Sequence, residues 1–338
     1  MIAALPPVVC RVVRGPLVEC LHRGDMVFVD SMGRVQWSLG DPQKKTFMRS
    51  SAKPIQVLPV IESGAAARFG FSDREIAVMC GSHSGQDQHV ETVKGVLEKL
   101  GLDETALGCG THPPLYRPQA ASLVKMGRRP SPLHNNCSGK HSGMLALAVH
   151  LGLPLDRYWE AGHPVQDIVK RVVAETAAYP EKDIMVGVDG CGVSVFALPL
   201  FNMALAYARL ASPGVFAEPR RSAVEIVMGA VAANPLMIAG TGRFCTAIAE
   251  VTHGRIIGKE GADGVYCAAV RDRGVGFAFK VEDGHSRVMG PVVTNALLQM
   301  GMLDEGEADA LRDWRRPALV NHRGEDVGFA EAAFQVHK

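Results

Sequence analysis

MVFVDSMGRVQWS, residues 26–38, sets an apolar run (Met26 to Val29) and an alternating one (Arg34 to Ser38) around a Met32-Gly33 turn. That pattern reads as a β-hairpin. Upstream, the valine-rich residues 8–15 read as another strand, and strand-like runs return late at 184–190, 244–251, 255–259 and 275–283. The intervening chain has helical spacing. Ser72 and Glu75 form a capping box before an apolar run, and Val90, Val93, Leu97 and Leu100 share one helical face over 87–100. Further helices are expected at 140–151, 164–177, 200–211, 219–233 and 291–302. Strands at both ends with helices between predict an α+β fold, with one antiparallel sheet built from both chain ends and a helical region inserted. The Gly/Pro-rich residues 109–118 read as a structured loop, so the expectation is a single catalytic unit over residues 1–338.

The 338 residues carry 36 Lys+Arg against 35 Asp+Glu, a formal charge of +1 without basic blocks. Nucleic acid is therefore not an expected partner, since phosphate binding needs clustered cations. The uncharged residues 190–208 contain Ser194, Pro199 and Asn202, which suits a buried strand leading into a buried helix better than a membrane span. No membrane partner is expected. Eight cysteines without a Cys-x-x-Cys pair, behind an N-terminal stretch with no basic start, read as a reducing, cytoplasmic enzyme.

Three segments concentrate chemistry. In RSSAKP (49–54), Ser50 and Lys53 stand three apart and share a helical face. A hydroxyl beside a desolvated amine is a nucleophile–base pair, although Ser-x-x-Lys also arises by chance in surface helices. Ser51 is a second hydroxyl, pointing elsewhere. CGSHSGQDQH (80–89) offers Ser82, His83 and Ser84 as substrate contacts or proton relays, or a capped turn. HNNCSGKHSGM (134–144) leads into an apolar helix, whose N-terminus suits an anion. Cys137 of this segment and Cys191 of the later Gly-rich turn VDGCGVS are candidates for a zinc site, with Lys140, His141 or Asp189 as a further ligand. Buried free thiols are the competing reading. Lys259, between small residues in GKEGADG (258–264), is either a second active-site amine or a solvated turn lysine.

Taken together, the chain resembles the type II L-asparaginases of the Rhizobium kind, a family unrelated to the threonine-nucleophile bacterial asparaginases. RSSAKPIQVLP, CGSHSG with Asp87 and His89, HNNCSGKHSGML, VDGCGV, GTGRFCT (240–246), GKEGADG and VEDG (281–284) carry the resemblance, in order along nearly the whole chain. It implies a fold like serine β-lactamases and glutaminases. It also implies Ser50 as nucleophile with Lys53 as base, Ser82 and Lys259 as a second pair, and zinc at Cys137, Lys140 and Cys191. Arg49, Asp189 and His141 would lie near the substrate, with Cys245 close to the same pocket. Ser194 stands where the family pattern carries Pro.

The expected reaction is hydrolysis of L-asparagine to L-aspartate and ammonia through a Ser–Lys acyl-enzyme, with activity rising towards alkaline pH because Lys53 must lose its proton. Zinc, if bound, is expected to orient the substrate, and a homodimer follows from the habits of soluble enzymes. Two alternatives compete. A penicillin-recognising serine acyl-transfer hydrolase would need a Lys-Thr-Gly-type strand, where this chain has only GKEGADG. A thiol or zinc sensor using Cys137 and Cys191 would leave Ser50 and Lys53 without a task.

Overall fold

A computed structural model describes residues 5–336 of the chain. They fall into two compact units, each assembled from separated segments. The first comprises residues 5–46, 198–212 and 247–336, and the second residues 47–197 and 213–246.

The first unit is built on an eight-stranded sheet in which every pairing is antiparallel. Its order is Ala318–Val320, Asp326–Ala332, Val8–Arg14, Leu17–Asp30, Val275–Val281, Val265–Val270, Ile256–Gly261, with Val35–Leu39 paired to Leu17–Asp30. Both chain ends therefore supply the sheet, as the sequence predicts. The hairpin turns where expected: Asp30 Oδ1 accepts from Met32 N and Arg34 N, and Gly33 takes φ +84°. That left-handed angle suits a residue without a Cβ. The strands Val265–Val270 and Val275–Val281 are buried along nearly their full length, and the helix Leu200–Leu210 packs on the latter. Approach is close at Gly276, where a Cβ would stand 1.9 Å from Ala204 O.

The second unit is mainly helical. Asp73–Met79, Asp87–Lys99, Arg117–Lys125, Ser138–Leu151, Pro164–Thr176 and Arg220–Ala233 are its longer helices, and Met185–Val188 pairs with the strand that begins at Ser194. The helix Ser138–Leu151 is buried through Ala148 and runs against Asp73–Met79. A Cβ on Gly139 would sit 2.1 Å from Val78 O, and one on Gly143 would sit 3.2 Å from Met79 Sδ. The residues four apart therefore form one small face.

The capping box at Ser72 forms in full: Ser72 N donates to Glu75 Oε2 at 2.7 Å, Glu75 N to Ser72 Oγ at 3.4 Å, and Lys99 Nζ reaches the same carboxylate at 2.6 Å. Burial works against the charge of Glu75, but Lys99 and the two Ser72 donors outweigh it and hold the carboxyl below its usual range. A lowered folded pKa gives stability that is present above the unfolded value and lost as pH falls through the folded one. Glu75→Gln is thus expected to cost about 1 kcal/mol at neutral pH. Denaturant titrations should show the gap closing below about pH 4.3. A gap that stays constant down to acid pH would contradict the assignment.

One segment departs from expectation. Residues 244–251 form a helix, Phe244–Val251, in place of the predicted strand. The buried Phe244, Cys245, Ile248 and Ala249 recur at helical spacing, and this amphipathic pattern outweighs the strand propensity of Ile248 and Val251. Two further strands near the C-terminus and Val265–Val270 had no strand expectation. The long strand begins at Leu17, well before the apolar run that announced it. No helix among the described residues is long and apolar enough to cross a membrane.

Candidate active site

Ser50 lies in the 3-10 turn Arg49–Ala52, which passes directly into the helix Lys53–Gln56 with Pro54 in its first turn. Pro is tolerated there because that N–H has no intrahelical acceptor. The next residues are buried through Val60, so the turn is anchored from below. Lys53 is 0% exposed, and its Nζ lies 2.6 Å from Gly81 O, 2.9 Å from Ser82 Oγ and 3.3 Å from Asn136 O. Burial pushes its pKa down, with Lys140 adding to the effect and Cys137 and Cys191 opposing it. A neutral amine has two hydrogens and one lone pair. The carbonyls of Gly81 and Asn136 can only accept, whereas the Ser82 hydroxyl can take a hydrogen from the amine or offer its own to the lone pair. Ser50 is half-buried on the same turn, but the hydrogen bonds of Lys53 run to the 81–82 loop, to Asn136 and to the Cys137 sulfur.

Ser82 itself is fixed by its N–H, which donates to Ile238 O at 2.8 Å. Gly81 before it admits no side chain, since a Cβ would stand 2.4 Å from Met237 O. The neighbouring His83 and His89 stack at 5.0 Å. His83 Nδ1 accepts from Gly85 N, and its Nε2 lies 2.8 Å from Ser138 Oγ. His89 caps the next helix, with Nδ1 accepting from Gln86 N and Nε2 donating to Leu236 O. These two imidazoles and Ser84, whose Oγ donates to Ala239 O, brace the loop.

Cys137 precedes the helix Ser138–Leu151, and its N–H donates to Asn135 Oδ1 at 2.8 Å. The Cys191 thiol donates to its sulfur. Burial opposes charge there, but Lys53 and Lys140 reinforce the hydrogen bond, so Cys137 is held well below the usual thiol range. The helix N-terminus favours the same thiolate. Cys191, the donor of the pair, is pushed up. Lys140 Nζ donates to Cys191 Sγ at 3.1 Å; burial disfavours its charge, but Cys191, Cys137 and Asp189 raise its pKa.

Two thiols and an amine thus converge in a buried place. Among the described residues no group of three or more His, Cys, Asp or Glu does so, and this set has only two members of those types. Its chemistry fits zinc, for which thiolate is the preferred soft ligand and a three-residue set leaves one position open. Binding would displace the protons of Cys191 and Lys140.

Arg49 adopts φ +51°, a left-handed conformation that is costly for a side-chain-bearing residue. Its Nε and Nη2 reach Asp189 Oδ1 at 3.0 and 2.9 Å. Asp189 opens a turn closed by Gly192 N to Asp189 O, with Gly192 at φ +85°. Burial raises its carboxyl, but Lys140, the Gly190 N–H and Arg49 bring it below the usual range. His141 is 0% exposed and held neutral by burial and by Lys140 and Lys53. Cys245 is fully buried beside Arg243, which donates to Ser84 Oγ at 3.5 Å.

The second unit therefore brings Lys53 to Ser82, Cys137 and Lys140 to Cys191, and Arg49 to Asp189. Lys259 belongs to the first unit, where it is 0% exposed on the strand Ile256–Gly261 and its Nζ donates to Glu260 O at 2.8 Å. It is not a solvated turn lysine. Sequence reasoning missed Asn136, whose carbonyl holds Lys53, and Tyr158, whose hydroxyl holds His141. A backbone carbonyl leaves no residue-type signal, and a tyrosine in the loop after Leu153 carries no motif.

The family model for L-asparaginase II matches residues 10–332, and the chain belongs to that family. No curated protein matches it by sequence. Among solved structures, Mglu in its native form is similar at 15% identity and TM-score 0.40, over 87% of this chain and 63% of its own, so this chain spans less than two-thirds of Mglu. A beta-lactamase from Mycobacterium bovis is similar at 10% identity and TM-score 0.44, over 83% of this chain and 95% of its own. A penicillin-binding protein homologue from Caulobacter crescentus is similar at 14% identity and TM-score 0.38, over 76% and 85%.

Proposed function

We propose that this protein hydrolyses the side-chain amide of L-asparagine through a seryl ester, and that Lys53 is its general base. The observation that carries this reading is the fully buried amine 2.9 Å from a serine hydroxyl and one helical turn from another. Burial favours the uncharged amine, which is the form that accepts a proton. Lys53 takes the proton of Ser50, and Ser50 Oγ attacks the amide carbon. The C–N bond then breaks, and ammonia leaves with a proton passed through the Lys53–Ser82 hydrogen bond. Water then attacks the ester carbon, Lys53 takes its proton and returns it to the Ser50 oxygen as the C–O bond breaks, releasing L-aspartate and restoring the neutral amine. Lys259, by family resemblance, is a second proton carrier. Asp189 supplies a carboxylate for the substrate's α-ammonium, in exchange for part of its bond to Arg49.

A specific observation favours a second reading of the nucleophile: the Lys53 contact is to Ser82. Rapid quench with L-asparagine, digestion and peptide mass spectrometry identify the acylated serine. Acylation of Ser50, with Ser50→Ala keeping under a few per cent of turnover, is the expected result. An ester on Ser82 would exchange the two roles, and ammonia release by a Ser50→Ala/Ser82→Ala double variant would sink both.

Zinc held by Cys137, Cys191 and Lys140 would orient the substrate, in preference to acting as a Lewis acid. The residues' own part is to present two sulfurs and an amine at a buried point. Cys137→Ser is therefore expected to raise KM about tenfold while kcat falls less than threefold, the pattern of lost uniform binding. Steady-state kinetics with and without a chelator check it, and a fall confined to kcat would contradict it.

Eight free thiols among the described residues support a reducing, cytoplasmic setting for this activity. The reading keeps residues 1–338 as one catalytic unit acting as a homodimer, for which sedimentation at two protein concentrations is the check.

A further inference from the structure

Tyr158 and His141 form a hydrogen-bonded chain that leaves one donor unused. Both residues are 0% exposed. Gly108 N donates to Tyr158 Oη at 3.0 Å, and Tyr158 Oη lies 2.6 Å from His141 Nδ1. Gly108 can only donate in this contact, so the phenolic hydrogen has a single acceptor available among the described residues, His141 Nδ1. That nitrogen is then the unprotonated one, and the proton of the neutral ring sits on Nε2. His141 Nε2 is fully buried and has no hydrogen-bond partner among the described residues. A buried donor without an acceptor is costly, so the site favours a ligand oxygen there. The arrangement is braced: the Tyr158 and His141 rings meet edge to face at 5.5 Å, and Trp159 fills the space a Cβ on Gly108 would need, 2.1 Å away. His141 also sits directly after Lys140, near enough to feel both it and Lys53.

We propose that Tyr158 is a positioning residue that locks His141 in the Nε2–H tautomer, so that Nε2–H donates to a carboxylate or carbonyl oxygen of the bound substrate. This rests on the amidohydrolase reading for the identity of the substrate, and on the hydrogen-bond geometry alone for the tautomer. The oxygen meets a donor that is already oriented, so the contact strengthens ground-state binding and transition state alike and belongs to KM.

The test has two arms on the full-length protein. Nitrogen-15 histidine NMR of the wild-type protein should report His141 with a protonated Nε2 and a bare Nδ1, and L-aspartate should move the Nε2–H resonance. Tyr158→Phe should mix the tautomers and raise KM for L-asparagine about tenfold, with kcat within threefold. An Nδ1–H tautomer in the wild type overturns the proposal whether or not the variant folds. So does an Nε2–H resonance unmoved while calorimetry shows L-aspartate bound, which would mean the donor serves a fixed water. A protein that neither binds L-aspartate nor releases ammonia fails the amidohydrolase reading and, with it, the substrate contact, while the tautomer result still decides the role of Tyr158.

Discussion

Replacing Lys53 by methionine is expected to lower kcat for L-asparagine by about three to four orders of magnitude. Methionine keeps the volume and removes the amine in contact with the Ser82 hydroxyl that can accept its proton. The expected structural cost is much smaller, because two effects oppose. Gly81 O and Asn136 O lose a donor, at about 1–3 kcal/mol for each buried group left unpaired. The burial that depresses the lysine is relieved at the same time. Ammonia-release rates beside a thermal unfolding curve separate the two. A variant within tenfold of wild-type turnover would remove Lys53 from the mechanism, and one that fails to fold would show that the amine is chiefly structural.

Gly139→Ala should unfold the second unit more readily than any surface change, costing about 3 kcal/mol or more. The added methyl would arrive 2.1 Å from Val78 O and 2.7 Å from Val78 C, both backbone atoms of the packed helix Asp73–Met79. Neither can rotate aside, so the helix Ser138–Leu151 must move, carrying Lys140 and His141 with it. Gly229→Ala is the matched control. That glycine also lies inside a helix of the same unit, Arg220–Ala233, and has nothing within 4 Å of a Cβ. It should gain about 0.5–1 kcal/mol from the entropy a glycine loses in a helix. Chemical denaturation of the three proteins decides, and equal shifts for the two variants would refute the packing argument.

Much of the layout was legible because it is written in local patterns. The hairpin at Met32-Gly33 follows from a turn residue between two apolar runs. The helix Asp73–Met79 follows from its capping box and Asp87–Lys99 from apolar spacing. The failure at Phe244–Val251 has the same origin, since eight mostly apolar residues satisfy a strand and a buried helix almost equally until their neighbours are known. Val265–Val270 is buried on both faces, and so lacks the alternation that marks a half-exposed strand.

The candidate site divides along a similar line. Ser50 and Lys53 could be paired on paper because three residues make a helical turn. By itself the sequence determined which residue types chemistry could use: two serines, buried-capable amines, two lone thiols and one carboxylate, in an order that carries the family. Only the tertiary structure decided which of them touch. It set Lys53 Nζ against Ser82 Oγ across 28 residues from Gly81 O and 29 from that hydroxyl, and brought Lys140 to Cys191 across 51. It also enlisted Tyr158 and the Asn136 carbonyl, which no motif announces. The physical reason is that a pKa, a tautomer or a thiolate is set by burial and by neighbours a few ångströms away. Those neighbours come from segments far apart in the chain, and their distances exist only once the chain has packed.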